Sequence, residues 1–189
     1  MNENMNLSND LHDGFENIEG DPVSPSNVGI PWDRQTLLNA IYAVSYNRPC
    51  NEYANAVLQR LGTPIDNGRL TGVQLMLNWL NSPQGRNTWS ELPRDGVTAW
   101  NRATQGIPTI AIAPTVTLPN GGVSIAHIAI LRPRTTHAHE PFPGFIGIRL
   151  ANGGDPASAG HDRTLDFVWQ RDARHAIRFF TFIGPRFIL

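Results

Sequence analysis

The chain has 189 residues, 40% of them hydrophobic and 16% charged, with a formal net charge of -1 and a single cysteine. That balance suits one globular domain with a core of its own, excludes an internal disulfide, and argues against nucleic acid, whose phosphates demand a basic surface. No apolar run approaches about twenty residues, so no membrane insertion is expected, and the polar, acidic start lacks the basic flank and apolar centre of a secretory signal.

Residues 1–30 are rich in Asn, Asp, Glu, Ser, Pro and Gly and read as an irregular acidic lead segment. Leu7, Leu11, Phe15 and Ile18 have a helix-like spacing within it, which leaves room for one short packed helix. Residues 31–189 read as a single domain. Its basic side chains begin at Arg34 and are all arginine. Planar guanidinium groups suit bidentate binding of carboxylates, and codon bias explains the same usage.

Pro31-Trp32-Asp33 looks like a helix start, with Leu37, Leu38, Ile41 and Val44 as one apolar stripe that Pro49 stops. A second helix of about three turns begins at Cys50, with Ala54, Val57, Leu58 and Leu61 at helical spacing and Gly62 and Pro64 at its end. Thr63 to Arg69 reads as a turn-rich loop. Val73, Met76, Leu77 and Leu80 then mark a third helix up to Ser82-Pro83, and Trp89 and Leu92 precede a short helical stretch from Val97 to Gln105, closed by Gly106.

There the period changes. Pro108 to Ala113 and Val123 to Leu131 read as strands joined through Pro119-Asn120-Gly121-Gly122, which is hairpin chemistry. Phe145 to Asn152 and Arg174 to Ile183 are two more strands, and Leu165 to Trp169 a weaker one. Helices first and then a mostly antiparallel sheet place the fold in the α+β class.

Cys50 at a helix start is the first group with chemical promise. Free N–H groups and the helix dipole there favour a thiolate, Arg48 adds to the effect and Glu52 opposes it; a lone cysteine is otherwise a small buried hydrophobe. His127 is the second. Strand alternation puts it on one face with Val123, Ile125, Ala129 and Leu131, the face expected to lie under the helices, as a base aimed at the thiol or as a satisfied core histidine. Asn152 is the third, sharing a face with Ile146, Ile148 and Leu150, where an amide could orient the imidazole or simply open the turn at Gly153-Gly154. Arg149 and Asp155 are weaker candidates for the same post. His137-Ala138-His139-Glu140 has the residue types of a zinc site but lies in a loop without a cysteine pair, so no metal is expected. The glycine pairs match no phosphate loop, no Gly-x-Ser-x-Gly elbow is present, and no cofactor is expected.

With Cys50 opening a helix, Ala126-His127-Ile128-Ala129-Ile130 on a strand, Gln105-Gly106-Ile107-Pro108-Thr109-Ile110-Ala111 before it, Ala151-Asn152-Gly153-Gly154 after it and Phe167-Val168-Trp169 beyond, the chain resembles the NlpC-type cysteine peptidases of papain-like fold. More narrowly it is similar to type VI secretion amidase effectors that cut cell-wall peptide stems. The likeness runs from about Asn47 to Phe182. It departs at Ala126, where the family often has glycine, and at Asn51 and Glu52, where small residues are usual.

The resemblance implies Cys50 as nucleophile, His127 as general base and then acid, Asn152 as orienting group, and the backbone N–H of Cys50 facing the oxyanion. It implies hydrolysis of the amide between D-glutamate and meso-diaminopimelate through a thioester, without metal or cofactor. It also implies delivery by a secretion apparatus, without a signal peptide, into the periplasm of a target bacterium, and a cognate immunity protein as partner. The same residue pair would serve a hydrolase or acyltransferase acting on another cross-link, a lipid or a host protein. A non-enzymatic binding domain, with Cys50 and His127 in the core, is the remaining reading.

Overall fold

A computed structural model describes residues 33–133, 142–154, 157 and 159–185. The acidic lead segment lies outside them. Helix α1 spans Arg34–Tyr42, and the Asp33 carboxylate accepts a hydrogen bond from the Thr36 N–H at 2.6 Å, satisfying one of the donors that every helix start leaves free. Helix α2 (Cys50–Arg60) and helix α3 (Val73–Leu80) follow, separated by a turn in which Asp66 and Asn67 take left-handed backbone angles, as these residue types can. A short α4 (Pro83–Arg86), capped by the Ser82 hydroxyl, leads into strand β1 (Trp89–Leu92), and α5 (Val97–Thr104) precedes the main run of strands.

Those strands are β2 (Thr109–Ala113), the small hairpin β3 (Val116–Thr117) and β4 (Val123–Ser124), β5 (His127–Leu131), β6 (Arg149–Asn152), β7 (Gly160–Thr164) and, after the short helix α6 (Leu165–Val168), β8 (Arg178–Phe182). Five of them join β1 in one six-stranded sheet, in the order β1-β8-β2-β5-β6-β7, every neighbour antiparallel. The α+β class follows from this arrangement.

The hydrophobic alternation of β2 and β5 is used on both faces, so both faces are buried. Ile110, Ile112, Ile128 and Ile130 pack with Tyr53, Val57 and Leu58 of α2, Leu37 and Ile41 of α1, and Met76 and Leu80 of α3. Ala111, Ala113, Ala129 and Leu131 pack with Ala99, Trp100 and Ala103 of α5, together with Leu150, Trp169 and Phe179.

This corrects one expectation. The face carrying Ala129 and Leu131 does lie under a helix, but under α5; the Cys50 helix covers the opposite face, through Ile128 and Ile130. A one-sided sheet would leave that face to solvent, but α5 and the later segments that bring Leu150, Trp169 and Phe179 bury it as well.

Other differences are local. Trp89–Leu92 is a strand, paired with β8, although one buried Trp in four residues carries no clear alternation. Leu165–Val168 is helical, and β7 precedes it in a stretch too polar to read as a strand, Gly-His-Asp-Arg-Thr. Residues Phe145–Gly147 and Arg171–Ala176 are 3-10 segments, of three and six residues, so β6 and β8 are shorter than expected. The Val123–Leu131 run is broken at Ile125-Ala126, where the chain passes from the hairpin into the main sheet.

Candidate active site

Cys50 is the first residue of α2, behind Pro49, which supplies no side-chain cap. The backbone N–H groups of Ile128, Asn51 and Cys50 itself each favour the thiolate form of Cys50. Continuing the β5–β6 register, in which Ile130 faces Ala151 and Leu131 faces Leu150, would set Ile128 opposite Gly153. The ladder ends before that pair, at the place where the Ile128 N–H acts on the thiol.

Burial has the larger effect on the thiol and pushes its pKa up; the three N–H groups pull the other way and do not prevail. The helix start alone therefore does not make Cys50 a resting thiolate, because desolvation penalises the charged form more than the donors stabilise it. His127 responds in the complementary sense. Burial lowers its pKa from 6.5 to about 4, so the imidazole is neutral across the physiological range. A protonated thiol and a neutral imidazole make up the resting site.

His127 is the first residue of β5, at the sheet end where Cys50 also stands, and both line a solvent-facing cleft of about 390 Å³. They come together at the end of β5, an interior strand, rather than within one face of the sheet. The imidazole packs edge-on against Trp169, with ring centroids 5.2 Å apart, and its Nε2 lies 3.4 Å from the amide nitrogen of the fully buried Asn152. The structure thus brings Cys50, His127 and Asn152 to one end of the sheet, with Asn152 behind the imidazole.

The weaker candidates do not join them. Arg149 points to solvent and pairs with Asp162 at 3.4 Å. Asp155 lies outside the described residues, as do His137, His139 and Glu140. Among the described residues no group of three or more His, Cys, Asp or Glu side chains could hold a metal ion.

Several residues that fix the site have other readings in sequence. Gly153 looks like a turn glycine, but a Cβ there would sit 2.4 Å from the Arg48 carbonyl oxygen and 2.7 Å from Tyr53 Cβ. Only glycine lets the chain after Asn152 lie against the segment that delivers Cys50. Asn51 and Asn55, one turn apart, donate to the carbonyls of Thr71 (2.7 Å) and Leu70 (3.0 Å), so the polar residue after the cysteine anchors α2 to the following loop. His161 of β7 donates from Nε2 to the Val44 carbonyl at 2.8 Å and packs against Tyr42, Tyr46 and Tyr53, all the tyrosines of the chain. It ties the connection between α1 and α2 to the sheet. Nothing in the local sequence signals this role.

No protein-family model matches the chain, and no curated protein matches it significantly.

Proposed function

We propose that the protein is a cysteine amide hydrolase of papain-like, NlpC-type architecture that cuts the peptide stem of bacterial cell wall. One observation carries the reading: the Cys50 thiol and the His127 imidazole line the same open cleft, with Asn152 behind the imidazole. An amide side chain has nearly the same shape in either rotation. Turned so that its oxygen accepts from His127 Nε2–H, Asn152 holds the tautomer in which Nδ1 carries the lone pair.

In the proposed reaction Nδ1 takes the thiol proton as sulfur attacks the substrate carbonyl carbon. The N–H of Cys50 stabilises the oxyanion that forms. Collapse breaks the C–N bond, and the imidazolium gives its proton to the departing amine, leaving a thioester on Cys50. Water, deprotonated by His127, then attacks the thioester; the acid leaves and the thiolate recovers the proton.

A neutral resting pair suits this sequence, since the proton moves only when an electrophile is in place. The bond implied by resemblance is that between D-glutamate and meso-diaminopimelate. On the same basis the protein is an antibacterial type VI secretion effector that works in the target periplasm and is held in check in its producer by an immunity protein.

Exported to the periplasm of a Gram-negative host, the wild type should lyse cells and release muropeptides with shortened stems, while Cys50→Ala should do neither. Equal toxicity of the two, or lysis with intact stems, would overturn the proposal.

A further inference from the structure

Isolated apolar side chains on a protein surface mean little, but several apolar side chains gathered around a nucleophile do. Ile125 is 80% exposed and Val123 60% exposed, and both line the cleft that holds Cys50 and His127. Ala126 continues their wall, and Val168 stands in the wall that ends in Trp169.

The exposed pair is held in place. Val123 pairs with Thr117 in the hairpin, and the Ala126 N–H donates to the Thr115 hydroxyl at 3.1 Å where the chain leaves it. The polar groups on side chains around the cleft are the thiol, the imidazole, the Trp169 indole N–H, the Ser124 hydroxyl and the Gln170 amide; among the described residues none of its lining side chains carries a charge.

We infer that Ile125 and Val123 form a specificity shelf that selects a substrate residue with an uncharged, apolar side chain beside the cleaved bond. The inference rests on the amide-hydrolase reading of the site and narrows its substrate. A carboxylate or ammonium laid against the shelf would lose water and gain no partner, whereas an aliphatic side chain would remove apolar surface from water on both sides. Both residues of a D-glutamate–diaminopimelate bond carry charge, so the shelf favours a stem bond with an apolar residue on one side over the bond implied by resemblance. Ile125 is a specificity residue and takes no part in proton transfer.

The test reads labelling of Cys50 and needs no turnover. Acetyl-dipeptidyl vinyl sulfones carrying valine, glutamate or lysine at either residue add to a thiol: one S–C bond forms as the C=C π bond and the S–H bond break, and the thiol proton ends on the carbon next to the sulfone. Folded wild-type protein should be labelled at Cys50 about tenfold faster by the valyl probe, the ratio that partial burial of one aliphatic side chain supplies. Ile125→Arg should move the preference toward the glutamyl probe, and Ile125→Asp toward the lysyl probe, each by about tenfold, without a change in melting temperature. Val123→Arg provides a second variant on the same shelf.

Equal rates for all probes in the wild type, or unchanged ratios in the variants, would overturn the inference and leave the hydrolase reading standing. Failure of every probe to label Cys50 in folded protein would overturn both. Valyl-selective labelling without cell-wall cleavage would support the shelf and remove the cell-wall assignment.

Discussion

The two faces of the main sheet are packed by opposite means. Against α1, α2 and α3 the sheet presents isoleucine, from Ile110 and Ile112 of β2 and Ile128 and Ile130 of β5. Against α5 the same strands present Ala111, Ala113 and Ala129 to Ala99 and Ala103. The first face is filled by large branched side chains of the strands themselves; on the second, alanines of β2 and β5 meet alanines of α5, and the larger groups are Leu131 and residues such as Trp100, Trp169 and Phe179 around them. Cys50 belongs to the helix on the isoleucine side, while His127 has the parity of the alanine side. They can share a cleft only at the end of β5, where neither packing continues. The site is therefore a property of the junction, and the face of a strand is a poor guide to which residues meet there.

The largest expected effect is at that junction. Cys50→Ala and His127→Ala should each lower cell-wall hydrolysis by about 10⁴-fold with little change in folding, measured by muropeptide release and thermal melts. Retained activity in either variant would separate the junction from the chemistry.

The isoleucine face should be the more sensitive to truncation. Ile130→Ala, at a fully buried position, should cost about 2–5 kcal/mol in denaturant unfolding. A loss below 1 kcal/mol, by the same measurement, would mean that this face is not the filled one.

His127 couples the junction to acid. Its folded pKa of about 4 lies below the ordinary 6.5, so between these values the unfolded chain binds more protons than the folded one. Its contribution to stability is fully present above about pH 6.5 and is lost as pH falls toward 4, by up to about 3 kcal/mol. Urea unfolding across this window should show that slope in the wild type and a smaller one in His127→Asn. The alanine face should resist enlargement instead, with Ala129→Val costing about 1–3 kcal/mol through overpacking. Neutral behaviour of Ala129→Val in the same unfolding experiment would show spare volume there.

Much of this architecture is legible in the chain. The stripes of Leu37, Leu38 and Ile41, of Ala54, Val57 and Leu58, and of Val73, Met76, Leu77 and Leu80 lie on helices as their spacing demands, and Pro119 to Gly122 turns a hairpin. Cys50 is singled out by its place at a helix start and His127 by being an imidazole within an apolar strand run, although the structure makes it the first residue of β5. What escaped reading depends on tertiary approach. Gly153 matters because it presses against the Arg48 and Pro49 carbonyls, and His161 because three tyrosines and the Val44 carbonyl converge on it from distant positions. The direction of the thiol shift was also hidden, since a helix start is visible in sequence and the depth of burial that outweighs it is not.

The most direct measurement is the intact mass of the protein after rapid acid quenching during reaction with an acyl-peptide thioester substrate. The expected result is one acyl group on Cys50 in the wild type, none in Cys50→Ala, and at least about tenfold slower accumulation in His127→Ala. Absence of any adduct on Cys50, or acylation that proceeds as fast without His127, would contradict the pairing of thiol and imidazole.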